Sequence, residues 1–427
     1  MKMKWFNILG LGIVLMGSLC GCAQPASGDV IKSDLGRTAA SVSQSDMKTL
    51  VDGNNEFAFD LYQAVTGGTG NVFYSPFSIS LALAMTYAGA AGDTARQMAD
   101  TLHYTLPQDR LHPAFNSLDR ELASRGQGAQ GKDAKGFRLN IVNALWGQKG
   151  YNFLSSYLDL IALNYGAGLR TMDFRAAAEE SRRTINTWVA DQTEQRIKDL
   201  IPAGAIDPAT RLVLTNAIYF NAAWASQFQK EATSPAPFHL LDGKDVQAPM
   251  MNQTEGVNYV AGDGFEAVEL PYDGNELAML IIAPQNGNFA AFEKGLTAEK
   301  VDSIIGSLAR KQVQLSLPLF KYESKFSLAQ TLMGMGMPVA FSSSADFSGM
   351  TGNRDLCISD VIHQAFVLVD EAGTEAAAAT AVVMMTTAMP TQPVRVVIDR
   401  PFIFLIRDIK TGAVIFVGRV TNPALAQ

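Results

Sequence analysis

Phe57, Leu61 and Val65 recur at four-residue spacing, which is the period of one face of a helix. Ser75-Pro76 then carries a helix-start signal, a capping hydroxyl followed by proline at the first helical position. Ile79, Leu83 and Tyr87 extend the apolar stripe of that second helix, and Ile185, Trp188 and Val189 mark another. Past residue 211 the pattern changes to strands. Leu212 to Phe220 and Leu277 to Ala283 are short apolar runs, and Val313, Leu315, Leu317 and Leu319 alternate with polar or small neighbours. Phe402 to Ile406 and Val414 to Val417 flank Lys410-Thr411-Gly412, which predicts a terminal hairpin. Helices early and strands late predict an α+β fold. No linker and no internal repeat divides residues 48–427, so they read as one domain.

The N-terminus has a different pattern. Lys2 and Lys4 precede an uncharged, mostly apolar stretch from Trp5 to Leu19, too short for a membrane span and built like a signal peptide. Leu19-Cys20-Gly21-Cys22 resembles the lipobox of bacterial lipoproteins, which makes residues 1–21 a lipoprotein signal and Cys22 the lipidated residue. An ordinary secretory signal cut nearby is the alternative. Residues 22–47 are small, polar and without sustained period, and are expected to form a flexible tether with a reach of up to about 80 Å. Ala23 follows the lipobox cysteine where many enterobacterial lipoproteins retained at the inner membrane carry Asp. By that resemblance the chain is expected in the bacterial cell envelope, lipid-anchored at the outer membrane, with no leaflet assigned.

Composition narrows the rest. Of 427 residues, 48% are hydrophobic and 18% charged, enough apolar material for a large core. With 34 basic and 41 acidic residues the net charge is −7, so there is no basic footprint for nucleic acid. Cys357 is the single cysteine of the body, which excludes a disulfide framework, and its apolar surroundings predict an inert thiol. The four histidines, His103, His112, His239 and His363, are scattered and lack the clustered partners of a metal site. His363 is expected to be semi-buried, making structural hydrogen bonds. Gly126-Gln-Gly128-Ala-Gln-Gly131 spells a dinucleotide fingerprint, but no strand precedes it and Asp133 replaces the phosphate-loop hydroxyl. No serine sits in a hydrolase elbow. No cofactor and no catalytic group is expected.

The segment from Asp370 to Met389 stands apart, with small residues first, larger apolar ones later and no charge after Glu375. As a strand, it would place Thr374, Ala376, Ala378, Thr380, Val382 and Met384 on one face, uncharged and narrow at its start. Gly373 can serve as a hinge. No proline interrupts residues 371–389, so every amide is free to join a sheet ladder until Pro390.

Glu371-Ala-Gly373-Thr374-Glu375-Ala376-Ala377-Ala378-Ala379 closely resembles the hinge of inhibitory serpins. The resemblance extends through Asn71-Val-Phe-Tyr-Ser75-Pro76-Phe-Ser78, similar to the segment called the shutter, and Asn216 to Trp224, similar to the run that reaches the sheet opening. Glu269-Leu-Pro-Tyr272, Ala345 to Thr351, Arg400-Pro-Phe402 and Gly418 to Pro423 match further signatures, and His363 falls at the shutter histidine. On this resemblance the chain is identified as a member of the serpin family. It implies three β-sheets, about eight or nine helices and an exposed reactive-centre loop. It also implies irreversible, single-use inhibition of serine or papain-like cysteine endopeptidases by loop cleavage and strand insertion. Family spacing places the cut bond at Thr387–Ala388, with Met385–Thr386 and Ala388–Met389 as fallbacks. The small or aliphatic residues there suit elastase-like or subtilisin-like targets. A monomer is expected. The alternatives are a non-inhibitory serpin acting as a surface binding or chaperone-like protein, or a lipoprotein hydrolase.

Overall fold

The Ser75 hydroxyl accepts the amide of Ser78 at 3.2 Å and so opens the helix Pro76–Tyr87. Every residue of that helix is buried, because it runs between the strands Val414–Val420, Leu212–Ala223 and Arg138–Gln148. A helix that is apolar all round belongs inside a core, and this one marks where the core lies. The computed structural model describes residues 29–129, 137–374 and 392–424. The Phe57, Leu61 and Val65 stripe falls on the helix Gln44–Val65, and Ile185 and Val189 are buried faces of the helix Phe174–Gln192. No helix among the described residues is long and apolar enough to cross a membrane.

Seven strands form the sheet that carries the candidate site. In order they are Asp29–Ile31, Leu169–Met172, Arg138–Gln148, Leu212–Ala223, Gly373–Thr374, Asp360–Asp370 and Phe320–Ser327. A second ladder of nine strands runs from Val394–Val397 through Ala309–Pro318 and Asp245–Gly262 to the predicted hairpin Phe402–Asp408 and Val414–Val420, and ends on Val72–Tyr74. The three expected sheets therefore appear as two ladders among the described residues. The cause is the 18-residue strand Asp245–Gly262, which pairs in turn with Ser234–His239, Ala309–Pro318 and Phe265–Pro271 and so belongs to two sheets at once. Ten α-helices are present among the described residues, the shortest of four residues.

Of the tether expected over residues 22–47, the described part, from residue 29 on, is docked on the body. Asp29–Ile31 pairs antiparallel with Leu169–Met172 at the sheet edge, Asp29 opposite Thr171. Arg37 donates to Asn116 Oδ1 at 2.8 Å and meets Asp119 at 2.7 Å, and the amide of Thr38 bonds Leu163 O at 3.3 Å. Polar, aperiodic sequence is no bar to docking when the ladder supplies backbone partners and one arginine grips two residues of the helix Gln108–Ala123. Among the described residues the folded body thus takes in residues 29–47 as well. The signal segment, Cys20 and Cys22 lie outside the described residues.

Candidate functional site

The strands Leu212–Ala223 and Asp360–Asp370 run parallel and are paired over six rows, from Val213–Asp360 to Ile218–Ala365. Above that seam they part. The chain turns back after Asp370, with the amide of Ala372 bonded to Asp370 Oδ1 at 3.0 Å, and Gly373–Thr374 slips between the two strands. Thr374 lies opposite Ala222 on one side and Val369 on the other, antiparallel to both. Gly373 has φ near +150°, and a Cβ there would lie 2.2 Å from the carbonyl oxygen of Ala222. Only glycine fits so close to the neighbouring backbone.

Aromatic side chains line this opening. The Trp224 ring stacks on Tyr272 at 4.7 Å, and Phe220 meets Tyr272 edge-on at 5.1 Å. Trp224 Nε1 donates to Asp370 O at 2.9 Å and its amide to Ala372 O at 3.0 Å. The Tyr272 hydroxyl and Thr374 Oγ1 are 2.9 Å apart in a buried pair, and burial pushes the phenol well above its ordinary titration range. Glu371 is held by its carbonyl, which accepts from Phe228 N at 2.8 Å, and by its carboxylate, which accepts from Thr233 Oγ1 at 2.7 Å. The first two residues of an additional strand are thereby already seated.

Lower in the seam, Asn216 and His363 face each other in one row. The Ser75 amide donates to His363 Nε2 at 3.2 Å, which leaves Nδ1–H to donate to Asn216 Oδ1. Asn216 Nδ2 then donates to Ser78 Oγ and Asn143 Oδ1. This arrangement requires a neutral imidazole, because a proton on Nε2 would oppose the Ser75 N–H. Complete burial agrees, lowering the His363 pKa to about 3. His363 is thus fully buried, more deeply than the sequence suggested. Ser75 is fixed in turn through its hydroxyl, which donates to Ile415 O at 2.7 Å. The network ties both parallel strands and the strand Arg138–Gln148 to the buried helix behind them.

Of the residues singled out from sequence, Glu371, Gly373, Thr374 and Trp224 converge on the opening, and Ser75, Pro76, Ser78, Asn216 and His363 on the seam or the helix end behind it. Asn71 does not join them. Its side chain instead holds the chain terminus, donating to Asn422 O at 2.8 Å and accepting from Thr421 N at 2.8 Å. Glu375, Ala376, Ala377, Ala378, Ala379, Thr380, Val382, Met384, Met385, Thr386, Thr387, Ala388 and Met389 lie outside the described residues. Asn143 and Tyr272 were missed as site residues. A polar asparagine inside the apolar run Ile141 to Trp146 was the signal for the first; Tyr272 stood in the matched signature Glu269-Leu-Pro-Tyr272 but was given no role. Cys357 is half-buried, and burial raises its thiol pKa, as suits an inert group. The Gly126 amide accepts no phosphate-like role, since it donates to the Glu276 carboxylate at 2.7 Å. No cluster fit to hold a metal occurs among the described residues.

Comparison with known proteins places this geometry. The family model described as Serpin (serine protease inhibitor) matches residues 52–423. An uncharacterized serpin-like protein of Thermococcus kodakarensis is 42% identical over 378 residues, covering 88% of this chain and 86% of the relative. The leukocyte elastase inhibitor of Xenopus laevis is 40% identical over 387 residues, covering 88% of this chain and 100% of that protein. Among solved structures, the thermophilic serpin tengpin in its native state superposes with a TM-score of 0.81 at 28% identity, covering 92% of this chain and 99% of that one.

Proposed function

The chain belongs to the serpin family, and on that premise we propose that it is a protease inhibitor that acts once, by loop cleavage and strand insertion, against elastase-like, subtilisin-like or papain-like endopeptidases. The observation that carries this reading is Gly373–Thr374 seated between two strands that are otherwise paired directly. A protease attacks a bond in the segment that follows and becomes acylated on the new carboxyl end. The freed segment then continues the strand that Thr374 begins.

The register supports the length required. With Thr374 opposite Val369 and Ala222, residue 383 would fall opposite Asp360 and Met384 opposite Leu212, the last row of the sheet. Thr374 points its side chain inward, so by strand alternation Ala376, Ala378, Thr380, Val382 and Met384 would follow it inward. None is charged, and the first are small. A cut at Thr387–Ala388 would leave the acylated residue three positions beyond the last row, just outside the sheet. Met385–Thr386 and Ala388–Met389 remain the neighbouring choices.

Insertion must open the six-row seam and break the pairing of Asn216 with His363 across it. In exchange an interior strand of about ten residues gains both its donors and its acceptors. At ~0.5–1.5 kcal/mol net per hydrogen bond, the balance is on the order of 10 kcal/mol in favour of insertion. The intact protein is then held by a barrier, not by being the lowest state.

The anchor belongs to the same proposal. Cys22 carries lipid, residues 23–28 form the link, and the inhibitor is displayed on the bacterial envelope, at the outer membrane. The hinge alanines favour inhibition over a purely binding role. Incubation with a panel of elastase, subtilisin and papain tests the whole reading. A complex stable in denaturing gels is expected, together with a released peptide that begins at Ala388 by mass spectrometry. Catalytic cleavage without any stable complex across the panel would refute it.

A further inference from the structure

Two ends of the seven-stranded sheet can be told apart by register alone. Asp29 lies opposite Thr171, Thr171 opposite Gly147, and Gly147 opposite Leu212. The root of the N-terminal link is therefore in the bottom row of the sheet. The hinge lies at Ala222 and Ala223, ten residues further along the same strand, or about 33 Å away. The bait is at one end and the anchor at the other.

We infer that the end facing the lipid surface is also the end to which a trapped protease is carried, so that capture on a membrane is limited by the link between Cys22 and Asp29. This rests on the proposed insertion and lipidation. A fully inserted strand would bring Met384 into the row of Leu212, which is the row of Asp29. Four strand spacings, about 19 Å, separate the two positions across the sheet. The acylated protease would thus hang beside the anchor root.

The available height is small. Seven Cα steps join Cys22 to Asp29, a reach of at most about 25 Å. A protease of about 220 residues has a radius of gyration near 17 Å and is about 44 Å across. It cannot fit between an upright body and the bilayer. Slack from residues 29–43 is not free, because releasing it would break the Asp29–Ile31 ladder and the Arg37 contacts to Asn116 and Asp119. The complex must instead tip onto the edge formed by Asp29–Ile31, and tipping competes with hydrolysis of the acyl-enzyme. The first bond cleavage, at the far end, is not affected.

The lipidated protein in phosphatidylcholine vesicles is compared with the Cys22→Ser chain in solution, using elastase. Each is made with the natural link, with residues 24–28 deleted, and with twelve Gly-Ser residues inserted after Gly28. In vesicles, the moles of inhibitor consumed per mole of elastase trapped should rise several-fold over the soluble value. They should rise further with the deletion and return to the soluble value with the insertion. The rate of loop cleavage should stay the same throughout. In solution all three links should behave alike. Equal consumption for all three links on vesicles overturns the inference, as does absence of lipid mass on Cys22. Failure of the soluble Cys22→Ser chain to form any complex would instead refute the insertion reading itself.

Discussion

Thr374→Arg tests the insertion step at its first row. Thr374 is 2% exposed, and its hydroxyl meets that of Tyr272 at 2.9 Å beside the Trp224–Tyr272 stack. An arginine seated there forfeits that bond, worth ~1 kcal/mol, and places a guanidinium among stacked rings at an effective desolvation penalty of several kcal/mol. A total of ~4 kcal/mol added to the barrier slows insertion about a thousandfold. The intact protein escapes most of the cost by leaving its hinge in solvent, so its melting temperature should change little. The acyl-enzyme has no such escape, and water releases it. The variant should therefore be cut at the same bond as the parent but act as a substrate, with the gel-stable complex lost and elastase activity recovered. Thr374→Ser, which keeps the hydroxyl, should inhibit normally. If Thr374→Arg gave the parent's yield of complex, the argument that Thr374 leads the insertion would be refuted.

Nicking the loop with a non-target protease should raise the melting temperature by about 10 °C or more, as ~10 kcal/mol divided by the unfolding entropy of a domain this size implies. A calorimetric scan that shows no rise would remove the stored energy on which trapping depends. His363 binds no proton in the fold above pH of about 3 but does so in the unfolded chain below about 6.5. Its contribution is therefore fully present above pH 6.5 and is lost progressively, by up to about 4–5 kcal/mol, as pH falls towards 3. His112, lowered to about 4 by its own burial, adds a slope of the same sign, so the His363 share is the difference between parent and His363→Asn in melts from pH 8 to 4. An unchanged slope would mean that the seam does not depend on a neutral imidazole. Gly373→Ala puts a Cβ against the Ala222 carbonyl, at a cost of about 1–3 kcal/mol, and should expel the hinge. Faster amide exchange at residues 222–223 and 373–374 is the expected signature, and parental protection there would contradict it.

Local chemistry was readable wherever one residue's role depends on its neighbours in sequence. Ser75-Pro76 announced a capped helix, and Lys410-Thr411-Gly412 announced a hairpin, because both signals are complete within a few residues. The candidate hinge stood out for the same reason, as a glycine followed by small side chains, with no charge after Glu375 and no proline before Pro390. What depended on distant pairing was not. Nothing in Asp29-Val30-Ile31 distinguishes a tether from an edge strand until Leu169–Met172 offers it a ladder. Asn71 sits close to Ser75 in sequence, yet its amide is taken by Thr421 and Asn422 at the other end of the chain. Asn143 and Tyr272 sit in runs that stood out locally, but their partners, Asn216 and Thr374, are distant in sequence, so their roles did not show.

The closing hairpin governs what a spent molecule becomes. Phe402–Asp408 is paired on both sides, to Leu277–Pro284 and to Val414–Val420, which is itself paired to Val72–Tyr74. Severing the backbone ahead of residue 392 leaves all of these ladders in place. The cut product should therefore sediment as a single hydrodynamic particle, a heterodimer of one long and one short polypeptide, which only denaturant takes apart.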